Sequence, residues 1–236
     1  MGIVKGMELF SRTENLIGKE NVEKLRRCRV IVFGIGGVGG HAVEALARSG
    51  VGAVDIVDND VVSESNINRQ IVALHSTIGR KKTQVMQQRL LDINPNIRVQ
   101  THDLFFLPET QFDFSPYDYV VDAIDTVSGK IAIIEKAKQA GVPVISAMGA
   151  GNKLNPTAFE VADVQKTSGC PLARVMRREL KQRGVFGVKA VFSKEEPQGE
   201  LQKDERGKPV PASVAFCPSV MGLIIASEVV KDLIKK

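Results

Sequence analysis

The sequence predicts an α/β fold: a doubly wound, mostly parallel sheet with helices on both faces and a C-terminal extension. Two patterns predict it. Short β-branched runs alternate with helical stretches over residues 29–147. Parallel strands need crossover connections, and helices supply them. A glycine-rich turn, GIGGVG at residues 34–39, follows the first of these runs and opens a helix. Ligands in such sheets bind beyond the carboxyl ends of the strands.

Taken in order, residues 7–27 read as helical and polar. Residues 29–34, RVIVFG, form a buried strand ended by glycine. Residues 37–49 are a helix with Val38, Ala42, Val43, Leu46 and Ala47 on one face, stopped by Gly50 and Gly52. AVDIV at 53–57 is a second strand, and residues 59–79 are a long polar connection. A helix at 81–93 ends at Asn94-Pro95, and a third strand follows at 97–101. YDYVVD at 117–122 is the fourth strand, 127–140 a helix ended by Gly141, and VPVISA at 142–147 the fifth strand. The rhythm then changes. Residues 157–164 read as one more strand pairing with the sheet, and 171–183 as a basic helix. Residues 186–215 are rich in Gly, Pro, Lys and Glu and read as a loop or mobile hairpin. The final helix, 219–234, is apolar enough to need the sheet, so the chain is expected to be one domain.

Composition bounds the function. The 236 residues are 43% hydrophobic and 25% charged, which excludes disorder, collagen and coiled coil for the bulk of the chain. Such a length buries roughly 70–75% of its unfolded surface and needs no disulfide or metal staple. The net charge of +5 permits a polyanionic partner such as RNA without demanding one. With no Trp and two Tyr, an open aromatic platform for single-stranded nucleic acid is not expected. Cys28, Cys170 and Cys217 form no C-x-x-C pair, so neither a closed zinc site nor a redox motif is expected. A reduced, cytoplasmic setting is the simpler reading. The N-terminus has no apolar core of signal-peptide length. The apolar run at 220–230 is interrupted by Ser227 and Glu228 and cannot span a bilayer. Neither a membrane nor DNA is expected as a partner.

Three motifs carry chemistry. Gly34, Gly36, Gly37 and Gly39 let the backbone turn tightly and approach a phosphate, at a helix N-terminus with unpaired N–H donors. This is the Rossmann-like fingerprint. Asp58, ending the second strand, stands where a carboxylate accepts hydrogen bonds from ribose hydroxyls. An adenine nucleotide is implied, NAD or ATP alike. The second motif, DNDVVSESNINRQ at 58–70, separates them. Asp60, Asn66, Asn68, Arg69 and Gln70, with Lys82 a short loop later, suit a triphosphate whose α-phosphorus is under attack; a solvated polar loop is the bland alternative. The third is DAIDT at 122–126. Asp125, beside Thr126, is the expected Mg²⁺ anchor, since that ion prefers one or two carboxylates plus phosphate oxygens. Asp122 is read as structural.

Together GIGGVG, the 58–70 run, the lysine and DAID resemble the ubiquitin-activating-enzyme-like adenylyltransferases, over roughly residues 8–165. The resemblance implies ATP use, acyl-adenylate formation and pyrophosphate release. It implies that residues 34–39 and Asp58 hold the nucleotide, that Asn66, Arg69 and Lys82 bind phosphates, and that Asp125 holds Mg²⁺. Arg12, in FSRTENLIG, resembles the family's arginine that reaches into a partner subunit's site, which implies a homodimer. Members that activate sulfur-carrier proteins have two C-x-x-C pairs for zinc, which this chain lacks. GAGNKLNPT and KTSGCPLARVMRRELKQRG resemble instead a branch of dehydratases acting on threonylcarbamoyladenosine at position 37 of tRNA. The branch implies ATP-dependent cyclising dehydration. Residues 7–165 would be the nucleotide-binding core, and 166–236 a tRNA-facing helix, mobile loop and C-terminal helix. Activation of a ubiquitin-like sulfur carrier is the alternative, and a sulfur-transfer partner protein stays compatible with the resemblance.

No enzymic nucleophile is required by this chemistry. Cys217 reads as a buried core residue before a catalytic one, Cys28 as packing, and Cys170 has no assigned role. Arg174, Arg177, Arg178 and Lys181 fall on one helical face, a stripe suited to RNA phosphates or to solvent alone. Lys130, Lys189 and Lys194 are expected to extend that patch.

Overall fold

The computed structural model describes residues 9–199, 202–203, 207 and 209–235. A seven-stranded sheet runs in the order β3-β2-β1-β4-β5-β7-β6. Its strands are β1 (Arg29–Phe33), β2 (Ala53–Val57), β3 (Arg98–His102), β4 (Tyr119–Asp122), β5 (Val144–Ala147), β6 (Phe159–Asp163) and β7 (Lys189–Ser193). All neighbours are parallel except β6, which closes one edge antiparallel to β7. β1, β2, β4 and β5 are apolar and buried along nearly their whole length, as parallel strands covered on both faces must be.

Helices α2 (Lys19–Arg27), α3 (Gly39–Arg48), α4 (Lys82–Ile93) and α7 (Phe216–Lys235) cover one face. Helices α5 (Val127–Gln139) and α6 (Pro171–Gln182), with the loop at 103–117, cover the other. There Phe33, Phe106, Phe112 and Phe114 interlock, with Phe33 and Phe106 ring centroids 5.0 Å apart. Phe33 is the last residue of β1, so this cluster holds the chain firmly just before it turns into the glycine loop. On the opposite face, α7 crosses α3 at Gly222. A Cβ there would lie 2.3 Å from the Val38 carbonyl oxygen. The crossing sets the first turn of α7 against the start of α3.

The helical stretch read over 7–27 is divided into α1 (Ser11–Ile17) and α2, with residues 7 and 8 outside the described residues. Gly18 between them adopts φ +88°, a left-handed conformation that breaks the ladder and that glycine adopts at little steric cost. Residues 186–215 are not all loop. β7 lies among them, inserted between β5 and β6, with Ala190, Val191, Phe192 and Ser193 at most 1% exposed. Its leading Lys189 is satisfied by Glu228 and Asp232 of α7, which lets a charged residue start a buried strand. Beyond it, β8 (Gln202–Lys203) and β9 (Pro209–Val210) form a small hairpin. Part of the segment expected to be mobile lies outside the described residues.

Candidate active site

The glycine loop forms the floor of a crevice at the carboxyl edge of β1, β2 and β4. Gly34 has φ +88°, and a Cβ on Gly39 would fall 1.8 Å from the Gly34 carbonyl oxygen. The turn therefore closes only with glycine at both positions. Gly36 differs: the nearest atom to a Cβ there is Gln70 Nε2, at 3.9 Å. Gly37 lies under Pro218 of α7. The backbone amides of Gly36 and Gly37 have no acceptor among the described residues. Val38, the N-cap of α3, contributes no side-chain bond, and the first turn holds no acid. The positive end of the α3 dipole is thus left open to an anion.

Polar groups border this opening. Asp58 accepts the Ile35 N–H at 2.6 Å and the Asp60 N–H at 2.8 Å. It braces the glycine loop against the end of β2. Lys82, at the start of α4 and 5% exposed, pairs with Asp60 at 2.7 Å. Asn66 is buried and accepts the Ser63 N–H at 3.1 Å. Arg69 Nη1 donates to Ser65 O and to Asn68 Oδ1, both at 2.8 Å. Gln70 is 8% exposed, and its buried Oε1 has no hydrogen-bond partner. A buried acceptor left unpaired costs about 1–3 kcal/mol, and this one belongs to the side chain nearest the open Gly36.

The two carboxylates at the tip of β4 differ in burial. Asp122 is fully buried, held by Ser146 Oγ at 2.5 Å and Lys130 Nζ at 2.8 Å. Asp125 is exposed, and the Thr126 hydroxyl lies 3.4 Å from it. Among the described residues no three His, Cys, Asp or Glu side chains cluster as a metal cage. Thus residues 34–39, 58–70, 82 and 122–126 converge on one edge.

Arg12 does not reach it within one chain. It is exposed on α1, and the adjoining Phe10 packs by Gly50, at the amino-terminal end of β2. Lys130 is not a surface cation. It is fully buried, donating to the Ile124 and Ala147 carbonyls besides Asp122. Lys189 is likewise withdrawn from any basic patch by its two α7 carboxylates, and Lys194 pairs with Glu160 at 3.0 Å. In the α6 stripe, Arg174, Arg178 and Lys181 are exposed. Arg177 is half-buried, and its Nη1 donates to the carbonyl and hydroxyl of Thr167 at 2.6 and 2.8 Å. It ties α6 to the preceding loop. All three cysteines are buried. Burial pushes the Cys217 thiol up, and Glu195 adds to the effect, so no ready thiolate stands there.

One feature escapes sequence reasoning. Residues 211–214 strap the far side of the crevice: Asn68 Nδ2 donates to Ser213 O at 3.0 Å, and the Asn152 N–H to Ala212 O at 2.7 Å. Asn152 has φ +57°, a conformation asparagine tolerates. The adjoining Lys153 is buried against the Glu195 carbonyl.

The model of the ThiF family matches residues 10–236. The chain is 45% identical over 240 residues to a tRNA threonylcarbamoyladenosine dehydratase of Bacillus subtilis, covering 96% of this chain and 94% of that protein. It is 40% identical over 196 residues to the protein of that name from Escherichia coli, covering 79% and 73%. Crystal structures of the E. coli enzyme, TcdA, superpose with a TM-score of 0.89 in complex with AMP, at 34% identity over 100% of this chain and 98% of that one. The complex with ATP gives the same score, at 33% identity over 99% and 98%.

Proposed function

The chain belongs to the ThiF family, and from that premise we propose that it is an ATP-dependent dehydratase of threonylcarbamoyladenosine in tRNA. A carboxylate is a poor electrophile because its leaving group would be oxide. In the proposed reaction the threonyl carboxylate oxygen attacks the α-phosphorus of ATP and pyrophosphate leaves. The carbamoyl nitrogen of the same side chain then attacks the acyl carbon, loses its proton and expels AMP. One carboxylate oxygen departs in AMP, so the nucleoside loses one water. Ring closure is intramolecular and gains a high effective molarity. No enzymic nucleophile is called for, and the three buried thiols fit that.

Gly34, Gly36, Gly37 and Gly39, with the N-terminus of α3, are assigned to the phosphates. Asp58 and Asp60 lie on the ribose side. Asn66, Asn68 and Gln70 contribute amides, and Arg69 and Lys82 offset the charge that gathers on the α-phosphoryl oxygens. Lys82 would exchange its Asp60 partner for phosphate. An exposed Asp125 with no ion-pair partner among the described residues, beside Thr126, fits a Mg²⁺ that arrives with the nucleotide. That ion, when bound, neutralises phosphate charge. Arg12 is assigned to the crevice of a second copy in a homodimer, and Arg174, Arg178 and Lys181 to tRNA phosphates. No helix among the described residues is long and apolar enough to cross a membrane, and a cytoplasmic setting accords with the free cysteines.

The observation that carries this reading is the open N-terminus of α3, where the Gly36 and Gly37 amides lack acceptors among the described residues. The test is incubation with Mg²⁺, ATP and tRNA bearing threonylcarbamoyladenosine, followed by nucleoside mass spectrometry. Loss of one water from that nucleoside with matching release of AMP is expected. ATP–pyrophosphate exchange seen only with a carrier protein, or tighter binding of NAD than of ATP, would refute it.

A further inference from the structure

We propose that the groove between α5 and α6 receives an unstacked nucleotide of the RNA substrate, one that neighbours the modified base. The inference rests on the proposed function and extends the site beyond the crevice. The groove holds 490 Å³, within the size range of small-ligand pockets. α5 forms its floor, α6 one wall, and Pro108 stands on the other. Val127, Ile131, Ala132 and Val175 give it an apolar lining, and Ser128 contributes a hydroxyl.

Its place ties it to the reaction. Val127, the first residue of α5, follows directly on Asp125 and Thr126. One end of the groove therefore adjoins the edge where the modified base is activated. Anticodon loops are read by splaying bases out of the stack and burying them. No aromatic ring lines this groove, so the base is held by apolar burial and one polar edge contact, in keeping with a chain without Trp.

Within the groove two arginines meet two glutamates, and the positive excess lies on the exposed face of α6 beside it. Arg178 and Arg183 line the α6 wall and share Glu179, at 2.9 and 2.8 Å. Arg183 also lies 3.5 Å from Glu135 of α5. Arg174 and Lys181 stand exposed on the same helix, whose sole acid is Glu179. An apolar slot beside a cationic helix suits a base with its phosphate, and suits an acidic or purely apolar peptide less well.

The test uses the full chain with Mg²⁺ and ATP, and a tRNA anticodon stem-loop with 2-aminopurine beside the modified adenosine. The two variants, Ser128→Trp to fill the groove and Val175→Glu to charge it, lie outside the proposed ATP site. Wild type is expected to raise the 2-aminopurine fluorescence on binding, as the base leaves the stack. Each variant should lose that rise and weaken stem-loop binding by about tenfold, with ATP affinity and Tm unchanged. RNA affinity and fluorescence indifferent to both variants would overturn the proposal and give the groove to a protein partner. A fall in ATP affinity or Tm equal to the loss of RNA binding would also overturn it, because the effect would then be structural. The binding arm does not depend on turnover, so a wild type that binds RNA here yet never removes water refutes the proposed function alone.

Discussion

Lys130→Met is the substitution that most sharply separates a buried strut from a surface cation. Lys130 and Asp122 are both fully buried and 2.8 Å apart. The ammonium also holds the Ile124 and Ala147 carbonyls, at 3.2 and 2.7 Å. Methionine keeps the stem and removes the charge. It leaves the Asp122 side chain buried without its cation, supported by Ser146 and one amide. Breaking a buried pair from one side costs about 3–5 kcal/mol. For a chain of this size, at roughly 2–4 °C per kcal/mol, Tm should fall by about 6–20 °C. The assay is urea unfolding of wild type, Lys130→Met, Asp122→Asn and the double variant. The double variant should be more stable than Lys130→Met, because no uncompensated carboxylate then remains. A loss below about 1 kcal/mol, the value of an exposed pair, or strict additivity in the cycle, would refute the strut. So would an RNA-binding salt slope that drops by one charge with stability unchanged.

The other predictions divide stability from binding. Gly36→Ala should leave Tm unchanged, since its Cβ meets nothing closer than 3.9 Å, yet lower ATP affinity by about tenfold or more through lost backbone approach; Gly39→Ala, 1.8 Å from Gly34 O, should lower both, as thermal melts and isothermal titration would show. Asp125→Ala should reduce Mg²⁺-dependent turnover by about a hundredfold or more while the melt stays at the wild-type value; wild-type rates would remove Asp125 as the metal anchor. Joint neutralisation of Arg174, Arg178 and Lys181 should lower the slope of log K against log salt by about 2 for single-stranded RNA contacts; an unchanged slope would place α6 away from the tRNA. At acid pH, burial pushes the Asp55 carboxyl up, but bonds from His102, Arg29 and Tyr117 outweigh it and hold it below the usual range. Its stabilisation is therefore complete above about pH 4 and lost as pH falls through the folded value, so urea midpoints of wild type and Asp55→Asn should converge in acid.

Where local pattern alone decides an element, the sequence was a sound guide. RVIVF and AVDIV are rich in Val and Ile and are buried strands. The glycines of the first turn are dictated by backbone approach, which composition displays directly. Asp122 ends a strand and is buried, and Asp125 follows it and is exposed. What stayed hidden depends on partners remote in sequence. KAVFS looks like part of a charged loop until Glu228 and Asp232 arrive from α7 to neutralise its lysine. Arg177 and Lys130 look like members of a basic surface, and only Thr167 and Asp122 show that they are internal struts. A cation's role is set by what faces it across the fold, and residue type does not reveal that.

The same remoteness explains why the last third of the chain belongs to the site. Pro218 packs on Gly37, Gly222 lets α7 lie against Val38, and Ser213 receives the amide of Asn68. The glycine loop, the polar run after β2 and the start of α7 are thus one mechanical unit, though some 180 residues separate Gly37 from Pro218 along the sequence. A nucleotide that fills the open N-terminus of α3 presses on the loop that Pro218 covers. The strap at 211–214 leads straight from that helix to Asn68. Enlarging Gly222 to valine should therefore disturb ATP binding from the back of the loop. Because α7 is also part of the core, the decisive comparison is between Kd and Tm. If Gly222→Val lowered Tm while ATP affinity, measured well below the melt, stayed at the wild-type value, α7 would be a structural cover and the coupling would be absent.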